Sequence, residues 1–164
     1  MGIVIRPLET RDSSAAREIL IACGVFSEEE VKVALDLSEE GVAVGLAGHY
    51  PHFAAKLDGV LRGYVCIGRT SLTRATWHLY WIAVNPAVQA HGIGRALQPH
   101  SEGFIRSLGG ERLVLETSAR ADYERTRRFD QRASYTQVGF IRDFYRPGDD
   151  CVMFCKVLTL PPDG

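Results

Sequence analysis

The sequence predicts a mixed α/β fold that contains both antiparallel and parallel strands. Residues 53–57 and 60–69 are strand-like runs separated by Asp58-Gly59, a pair typical of a tight β-hairpin. Residues 113–115 are continuously apolar and follow a helix-like segment, which predicts a strand covered on both faces and a parallel crossover. The length of 164 residues and the 46% hydrophobic content fit a single domain, which we assign to residues 1–160. We expect residues 161–164 to be a disordered tail.

The N-terminal part is predicted to form one strand and two helices. Residues 3–5 are a short apolar run before Pro7, and Asp12 stands where it can cap a first helix. Ser27 and Glu30 have the spacing of a capping box, which predicts the start of a second helix. We expect that helix to be broken by three glycines, Gly41, Gly45 and Gly48.

The rest of the chain is predicted to alternate strands and helices. Residues 76–84 are rich in aromatic and β-branched side chains, and Asn85-Pro86 ends this run because proline donates no ladder hydrogen bond. Apolar residues recur at helical spacing over 94–108. The C-terminal part is then predicted to contain a helix, a strand, a polar turn and a last strand, over residues 122–133, 136–144, 146–150 and 151–158.

The composition excludes several classes of partner. Nineteen Lys and Arg residues stand against twenty Asp and Glu residues, so the net charge of −1 provides no basic field for a nucleic acid or an anionic membrane surface. The longest mostly apolar stretch, residues 77–88, is shorter than the roughly 20 residues that a membrane span needs. The N-terminus lacks the pattern of a secretion signal, and we therefore expect a cytoplasmic protein.

Residues 84–97 combine a strand end, a loop with two glycines and the start of a helix. The first N–H groups of a helix lack internal partners and its dipole is positive there, so this loop predicts a site for a pyrophosphate. A P-loop is excluded because Arg95-Ala96 follows Gly94 in place of Lys-Ser/Thr. A dinucleotide-binding loop is disfavoured because Leu97 stands at the third glycine position, although Glu116 ends the next strand as a ribose-binding acid would.

The glycine loop also carries a family signature. Gln89-Ala90-His91-Gly92-Ile93-Gly94 resembles the Q/R-x-x-G-x-G/A acyl-CoA motif of the GNAT family of N-acetyltransferases. Residues 129–135, Phe-Asp-Gln-Arg-Ala-Ser-Tyr, are similar to the family's F-Y-x-x-x-G-F segment, and the order of elements matches over most of the chain. The resemblance implies a mostly antiparallel central sheet with one splayed parallel pair and flanking helices. It also implies acetyl-CoA as cosubstrate, with no metal.

The resemblance further implies which residues hold acetyl-CoA. The pyrophosphate is expected on the main chain of Gln89, Ala90, His91, Gly92, Ile93 and Gly94, with Arg95 beside it. The pantetheine arm is expected along Ile82, Ala83 and Val84, where the two parallel strands splay apart. Thr126 and Phe129 of the following helix complete this set.

The sequence does not decide which residues act as the base and the acid. Family members often use a Glu near the 76–84 strand, which has none here, so His78 and Glu116 are the candidate bases. Strand alternation predicts that His78, Tyr80 and Ile82 share one face of that strand, opposite Leu79, Trp81 and Ala83. Asp130 replaces the tyrosine that commonly acts as the family's acid, which leaves Asp130, Tyr123 and Tyr135 as candidates. Aligning residues 135–140 with the family segment instead would restore a tyrosine.

These observations predict an enzyme that moves an acetyl group from acetyl-CoA to an amine by direct attack in a ternary complex. The sequence does not decide whether the acceptor is a small molecule, an amino acid or a peptide N-terminus. Residues 142–150 are expected to border the acceptor pocket. Asp130 at the tyrosine position also allows a non-catalytic acyl-CoA-binding or regulatory module, and a dinucleotide oxidoreductase is a weaker alternative. Exposed edge strands make a homodimer one further expectation.

Overall fold

The computed structural model describes residues 2–158, which form a seven-stranded sheet and four α-helices. The expected tail, residues 161–164, lies outside the described residues. The strands are β1 (Ile3–Pro7), β2 (His52–Leu57), β3 (Val60–Arg69), β4 (Thr76–Val84), β5 (Arg112–Ser118), β6 (Thr136–Arg146) and β7 (Asp149–Val157). The helices are α1 (Ser13–Cys23), α2 (Glu28–Val44), α3 (Ile93–Ser107) and α4 (Glu124–Arg132), with 3₁₀ turns at Thr10–Asp12, Pro86–His91 and Ala121–Tyr123.

The strand order confirms the predicted mixture of pairings. The strands lie in the order β1-β2-β3-β4-β5-β7-β6, and only β4 and β5 run parallel. The crossover through α3 joins this parallel pair, as the apolar run at 113–115 predicted. Asp58 and Gly59 both have positive φ, at 52° and 78°, which is the conformation that a two-residue hairpin between β2 and β3 requires.

Apolar side chains pack on both faces of the sheet. Ile93, Leu97 and Ile105 of α3 are buried in one core with Trp77 and Leu113 of the sheet. On the other face, α1 and α2 cover a second core around Tyr64 and Ala83, through Ala16, Ile19, Leu20 and Ala34. Within residues 2–158, no helix has both the length and the apolar character needed to cross a membrane.

The two predicted helix starts differ in their chemistry. Ser27 and Glu30 form the predicted capping box, because the Ser27 hydroxyl accepts from the Glu30 N–H (3.1 Å) and the Glu30 carboxylate accepts from the Ser27 N–H (2.6 Å). Asp12 stands at the N-cap of α1, but its side chain makes no capping bond to that helix. The carboxylate instead accepts from the Arg6 guanidinium (2.7 and 2.9 Å) and from the Glu9 N–H (2.9 Å). Asp12 therefore ties α1 to β1.

The prediction that Gly41 helps to break the second helix is wrong. α2 continues through Gly41 and ends at Val44, where Gly45 follows with φ 82°. Gly41 is buried, and a Cβ there would overlap the Tyr50 carbonyl oxygen and the His52 ring. This glycine therefore lets the helix lie directly against the segment that enters β2.

The predicted alternation along β4 is wrong after Leu79. Cys66 pairs with Trp81 whereas Ile67 pairs with Leu79, so Tyr80 is an extra residue that forms a β-bulge. Beyond the bulge, Ile82 packs with Leu79 into the α3 core, and Trp81 packs into the α1–α2 core. His78 and Tyr80 stay together as predicted, with ring centroids 5.0 Å apart, and Trp81 joins their side of the sheet.

The polar turn after β6 is shorter than predicted. β6 extends to Arg146 and β7 begins at Asp149, which leaves Pro147 and Gly148 as the turn. Three additional residues of β6 bulge between the pairs Ile141–Cys151 and Arg146–Asp149. The Asp143 carboxylate accepts from the Gly148 N–H (2.7 Å), and this bond holds the bulged end of the hairpin in place.

Candidate active site

The parallel pairing between β4 and β5 is short. It covers residues 76–78 of β4 and 112–114 of β5, and both strands then continue without pairing to each other. We call the opening between residues 79–84 of β4 and 115–118 of β5 the wedge. The sheet therefore offers an unpaired strand edge in its interior.

Main-chain groups of β4 line one side of the wedge. The Asn85 N–H donates to the Arg62 carbonyl on β3 (2.8 Å), so strand alternation turns the N–H and C=O groups of Ile82 and Val84 toward the opposite edge. In agreement with this direction, the Val84 carbonyl accepts a hydrogen bond from the Cys23 thiol (3.5 Å) rather than from β3. Ile82 and Val84 can therefore bind an extended ligand through the main chain.

The loop after β4 ends at the start of a helix. The Asn85 side chain accepts from the Ala87 N–H (3.0 Å), and a 3₁₀ turn then leads to Gly92, which has φ 79°. This left-handed conformation favours glycine, and α3 begins at the next residue. The first N–H groups of α3 have no helical acceptors and lie at the positive end of its dipole. The geometry is that of an anion site beside the wedge.

The side chains around this loop differ in exposure. Gln89 is half-buried, whereas Ala90, His91 and Arg95 are exposed. The Ile93 side chain is fully buried against Gly63, so this residue can offer only its main chain.

Helix α4 contributes the remaining residues expected beside the loop. The Phe129 ring rests on Gly94, where a Cβ would lie 2.9 Å from the ring. Thr126 lies one turn earlier on α4 and is exposed. The residues expected to hold acetyl-CoA thus lie along the wedge and around one helix start.

A cavity of 670 Å³ opens onto the wedge on the face of the sheet that carries α1 and α2. Its walls come from the α1–α2 connection, α2, β4, β5, the segment after β5 and the β6–β7 hairpin. Five aromatic side chains line it, from Phe26, Tyr80, Trp81, Tyr123 and Tyr145. Its charged groups are the carboxylates of Glu29, Glu30, Glu116 and Asp149 and the guanidiniums of Arg120 and Arg146. A cavity of this size accommodates a small organic molecule.

Two candidate bases lie at the junction of the wedge and the cavity. Glu116 is half-buried and lines the cavity, two residues beyond the last parallel pair on β5. His78 belongs to that last pair on β4 and stacks on Tyr80 without lining the cavity. Burial lowers the pKa of His78, and the negative charge of Glu116 opposes this shift only in part. His78 is therefore neutral at pH 7, and of the two candidates only Glu116 can be reached by a molecule in the cavity.

Comparison with known proteins identifies the family. The model of the GNAT acetyltransferase family matches residues 14–129 of the chain. A GNAT-family protein from Desulfovibrio desulfuricans is 35% identical and superposes with a TM-score of 0.91, over 96% of this chain and 100% of its own. This chain belongs to the GNAT acetyltransferase family. The comparison with curated proteins gives no match.

More distant solved structures share the GNAT fold. The ribosomal-protein-S18-alanine N-acetyltransferase of Escherichia coli is 21% identical with a TM-score of 0.75, over 99% of this chain and 98% of its own. A protein from Salmonella typhimurium, solved with its cofactor acetyl-CoA, is 19% identical with a TM-score of 0.76, over 99% and 97%. The family expected from the motif at residues 89–94 is thus confirmed, and the chain is an acetyltransferase.

Of the three candidate acids in this GNAT protein, only Tyr123 lines the cavity. Its hydroxyl donates to the Val25 carbonyl (3.0 Å), which joins the segment after β5 to the α1–α2 connection. Burial raises the pKa of Tyr123 to about 12, so the phenol keeps its proton at neutral pH. In this arrangement the proton is engaged by Val25 and is not directed into the wedge.

Asp130 and Tyr135 lie among α3, α4 and β7 instead of in the cavity. The Gln98 amide donates to the buried Asp130 carboxyl (3.3 Å), and the Tyr135 hydroxyl donates to Glu102 (3.2 Å). Lys156 also pairs with Glu102 at 3.0 Å. Burial raises the pKa of Asp130 to about 7, and burial together with the Glu102 charge raises the pKa of Tyr135. The structure therefore groups these two candidates with each other and not with Glu116.

We expect Asp130→Asn to reduce the pH dependence of stability. Because the folded-state pKa lies above the unfolded value of 3.8, the folded state holds an extra proton between about pH 4 and pH 7, and the free energy of unfolding falls as the pH rises through this range. The variant has no such proton, so its stability relative to wild type should increase by about 2 kcal/mol from pH 4 to pH 8. Urea unfolding at both pH values measures this change. Asp36→Asn, at an exposed position of α2, is the control, and parallel curves for Asp130→Asn and wild type would contradict the assignment.

Several cavity residues were not found from the sequence. Tyr80 lines the cavity through the bulge in β4, and neither hydropathy nor a motif marks that bulge. Phe26 lines it from the α1–α2 connection, where the capping box identified only the helix start. The hairpin expected to border the pocket contributes Tyr145, Arg146 and Asp149. Among the described residues, no group of three or more His, Cys, Asp or Glu side chains could hold a metal ion.

Proposed function

We propose that this GNAT protein transfers the acetyl group of acetyl-CoA to an amine by direct attack within a ternary complex. One observation carries the proposal: the wedge joins an anion-binding helix start, at Gly92, to a cavity that contains an accessible carboxylate, at Glu116. The pyrophosphate of acetyl-CoA needs the helix start, and a protonated amine needs the carboxylate.

The residues around the wedge would divide the binding of acetyl-CoA among them. The main chain of residues 89–94 would hold the pyrophosphate, with the exposed guanidinium of Arg95 beside it. The main-chain groups of Ile82 and Val84 would pair with the amides of the pantetheine arm. Bound acetyl-CoA supplies an activated acyl carbon at the mouth of the cavity.

The transfer step needs no cofactor besides acetyl-CoA and no covalent enzyme intermediate. The amine nitrogen attacks the thioester carbonyl carbon, a C–N bond forms, the C–S bond breaks, and the thiolate leaves with the electron pair. Glu116 takes the proton that the amine loses, directly or through water. The thiol of CoA has a pKa of about 8.5, like that of cysteine. It can therefore leave as the thiolate and then take a proton from water.

The two serine hydroxyls in the cavity are already hydrogen-bonded within the protein. Ser27 accepts a helix N–H, and Ser118 donates to Asp149 while accepting from the Arg120 N–H (3.1 Å). Both serine hydroxyls are therefore engaged by other groups of the protein, and neither contacts a histidine.

Release of free CoA thiol tests the proposed function. Acetyl-CoA is incubated with the protein and a panel of small amines, amino acids and peptides, and the thiol is measured over time. We expect at least one amine to raise the rate well above that of the amine-free enzyme. Acetyl-CoA binding without acceleration by any amine would instead indicate a non-catalytic acyl-CoA-binding module.

Gly92→Ala should weaken acetyl-CoA binding about 10-fold. An alanine at φ 79° costs about 1–2 kcal/mol, and relief of this strain would turn the N–H groups of the helix start away from their present direction. Gly103→Ala is the matched control, because Gly103 lies in α3 with open space around its Cβ position. Titration calorimetry measures both affinities, and equal binding by the two variants would contradict a role for the loop in binding.

A further inference from the structure

The charges of the cavity select for a positive ligand. Arg120 donates to Asp122 through Nε (3.0 Å) and lies 3.6 Å from Asp149, while Arg146 has Asp149 at 4.0 Å. Both cations of the cavity therefore already have carboxylate partners. Among the described residues, Glu116 makes no ion pair and no side-chain hydrogen bond. The uncompensated charge in the cavity is negative.

Rings and aliphatic side chains make up about half of the residues that line the cavity. Tyr80 and Trp81 stand side by side because of the bulge in β4, and Tyr145 faces them from the hairpin. Phe26 and Leu37 add apolar surface from α2 and the connection before it. Aromatic faces attract a cation and also bury an apolar body.

A hydrogen bond joins two of the segments that line the cavity. The Tyr123 hydroxyl donates to the Val25 carbonyl (3.0 Å), and Tyr123 and Val25 both line the cavity. A peptide that continued past this point would have to break the bond and separate the two segments. A ligand that fits within 670 Å³ leaves the bond intact.

We propose that the acceptor is a small amine with one positive charge on an aromatic or aliphatic body and without a carboxylate. This inference rests on the proposed acetyl transfer and names the substrate class for the same site. The ammonium group is drawn to Glu116 and loses its proton there, and the apolar body packs between the rings. A carboxylate beside the amine would be repelled by Glu116, and a second ammonium on the apolar body would lose its hydration among the rings.

A matched substrate panel tests the inference. kcat/KM is measured for phenethylamine, for phenylalanine, which adds only a carboxylate, for spermidine and for an alanine tripeptide. We expect phenethylamine to exceed each of the other three at least 10-fold. A comparable or higher value for phenylalanine, spermidine or the tripeptide would overturn the substrate class while leaving acetyl transfer intact. If no amine releases thiol, the proposed function itself fails.

A pair of variants tests the role of the walls. Tyr80→Ala removes one ring of the cavity, and Phe140→Ala removes an exposed ring of β6 that does not line it. We expect Tyr80→Ala to raise the KM for phenethylamine about 10-fold and the KM for ethylamine less than 3-fold, with both values unchanged in Phe140→Ala. An equal change for the two amines in Tyr80→Ala would overturn recognition of the apolar body.

Discussion

Glu116→Gln should lower kcat/KM for an alkylamine about 100-fold at pH 7. An amine with a pKa near that of lysine, about 10.4, is some three units above neutrality, so deprotonation costs about 4 kcal/mol. A carboxylate at the amine site lowers this cost by accepting the proton, and glutamine, which has nearly the same shape, cannot. Glu116 is placed for this role because it is the carboxylate that lines the cavity beside the wedge and makes no ion pair among the described residues.

The pH profile separates proton transfer from a structural effect. The fraction of free amine rises with pH, so the deficit of Glu116→Gln should shrink steadily toward pH 10, whereas a misfolded variant would stay impaired. Glu111→Gln, at a half-buried residue outside the cavity that pairs with Arg74, is the control and should retain full activity. His78→Gln tests the other candidate base, and we expect a loss of less than about 5-fold because His78 does not line the cavity. A larger loss in His78→Gln than in Glu116→Gln would reverse the assignment.

Gly41→Ala should destabilise the fold by about 3 kcal/mol. The added methyl group would overlap the Tyr50 carbonyl oxygen and the His52 ring, and Tyr50 contributes main chain that cannot rotate away. His52 is also held in place, because it is buried and its two ring nitrogens lie 2.6 Å from the Tyr50 carbonyl oxygen and 3.3 Å from the Ser38 hydroxyl. α2 must therefore move away from β2, and the free energy of unfolding in urea measures the loss.

The sign of this change is informative, because alanine is the better helix former. In an open helical position, glycine to alanine stabilises by up to about 1 kcal/mol. Gly103→Ala in α3 is such a position and should be neutral or stabilising. Equal stabilisation by Gly41→Ala and Gly103→Ala would mean that α2 does not lie against Tyr50 as closely as the structure has it.

Much of the fold could be predicted because its signals are local. The capping box at Ser27 and Glu30 and the hairpin at Asp58-Gly59 each depend on a few adjacent residues, and the structure has both. The glycine loop is equally local, because a strand end, Gly92 with positive φ and a helix start follow one another in the chain. The prediction for Gly41 was wrong because this glycine allows a close contact with Tyr50, nine residues further along the chain, and no local pattern marks that contact.

The candidate catalytic residues were harder to rank from the sequence. Glu116, Tyr123 and Asp130 are all ionisable residues in the segment after α3, and spacing alone does not separate them. Only the packing shows that Glu116 enters the cavity, that the Tyr123 proton goes to Val25 and that Asp130 is buried against Gln98. The β4 bulge, which brings Tyr80 and Trp81 to one side, likewise depends on how β3 pairs with β4.

The sequence by itself determined the family, the order of the elements and the loop that precedes α3, because these depend on residues near each other in the chain. The tertiary structure decided which side chains share the cavity. Strand register, a bulge and the divergence of β4 from β5 bring together residues from four separate segments of the chain. Each of these features depends on contacts between strands and helices that no short pattern encodes.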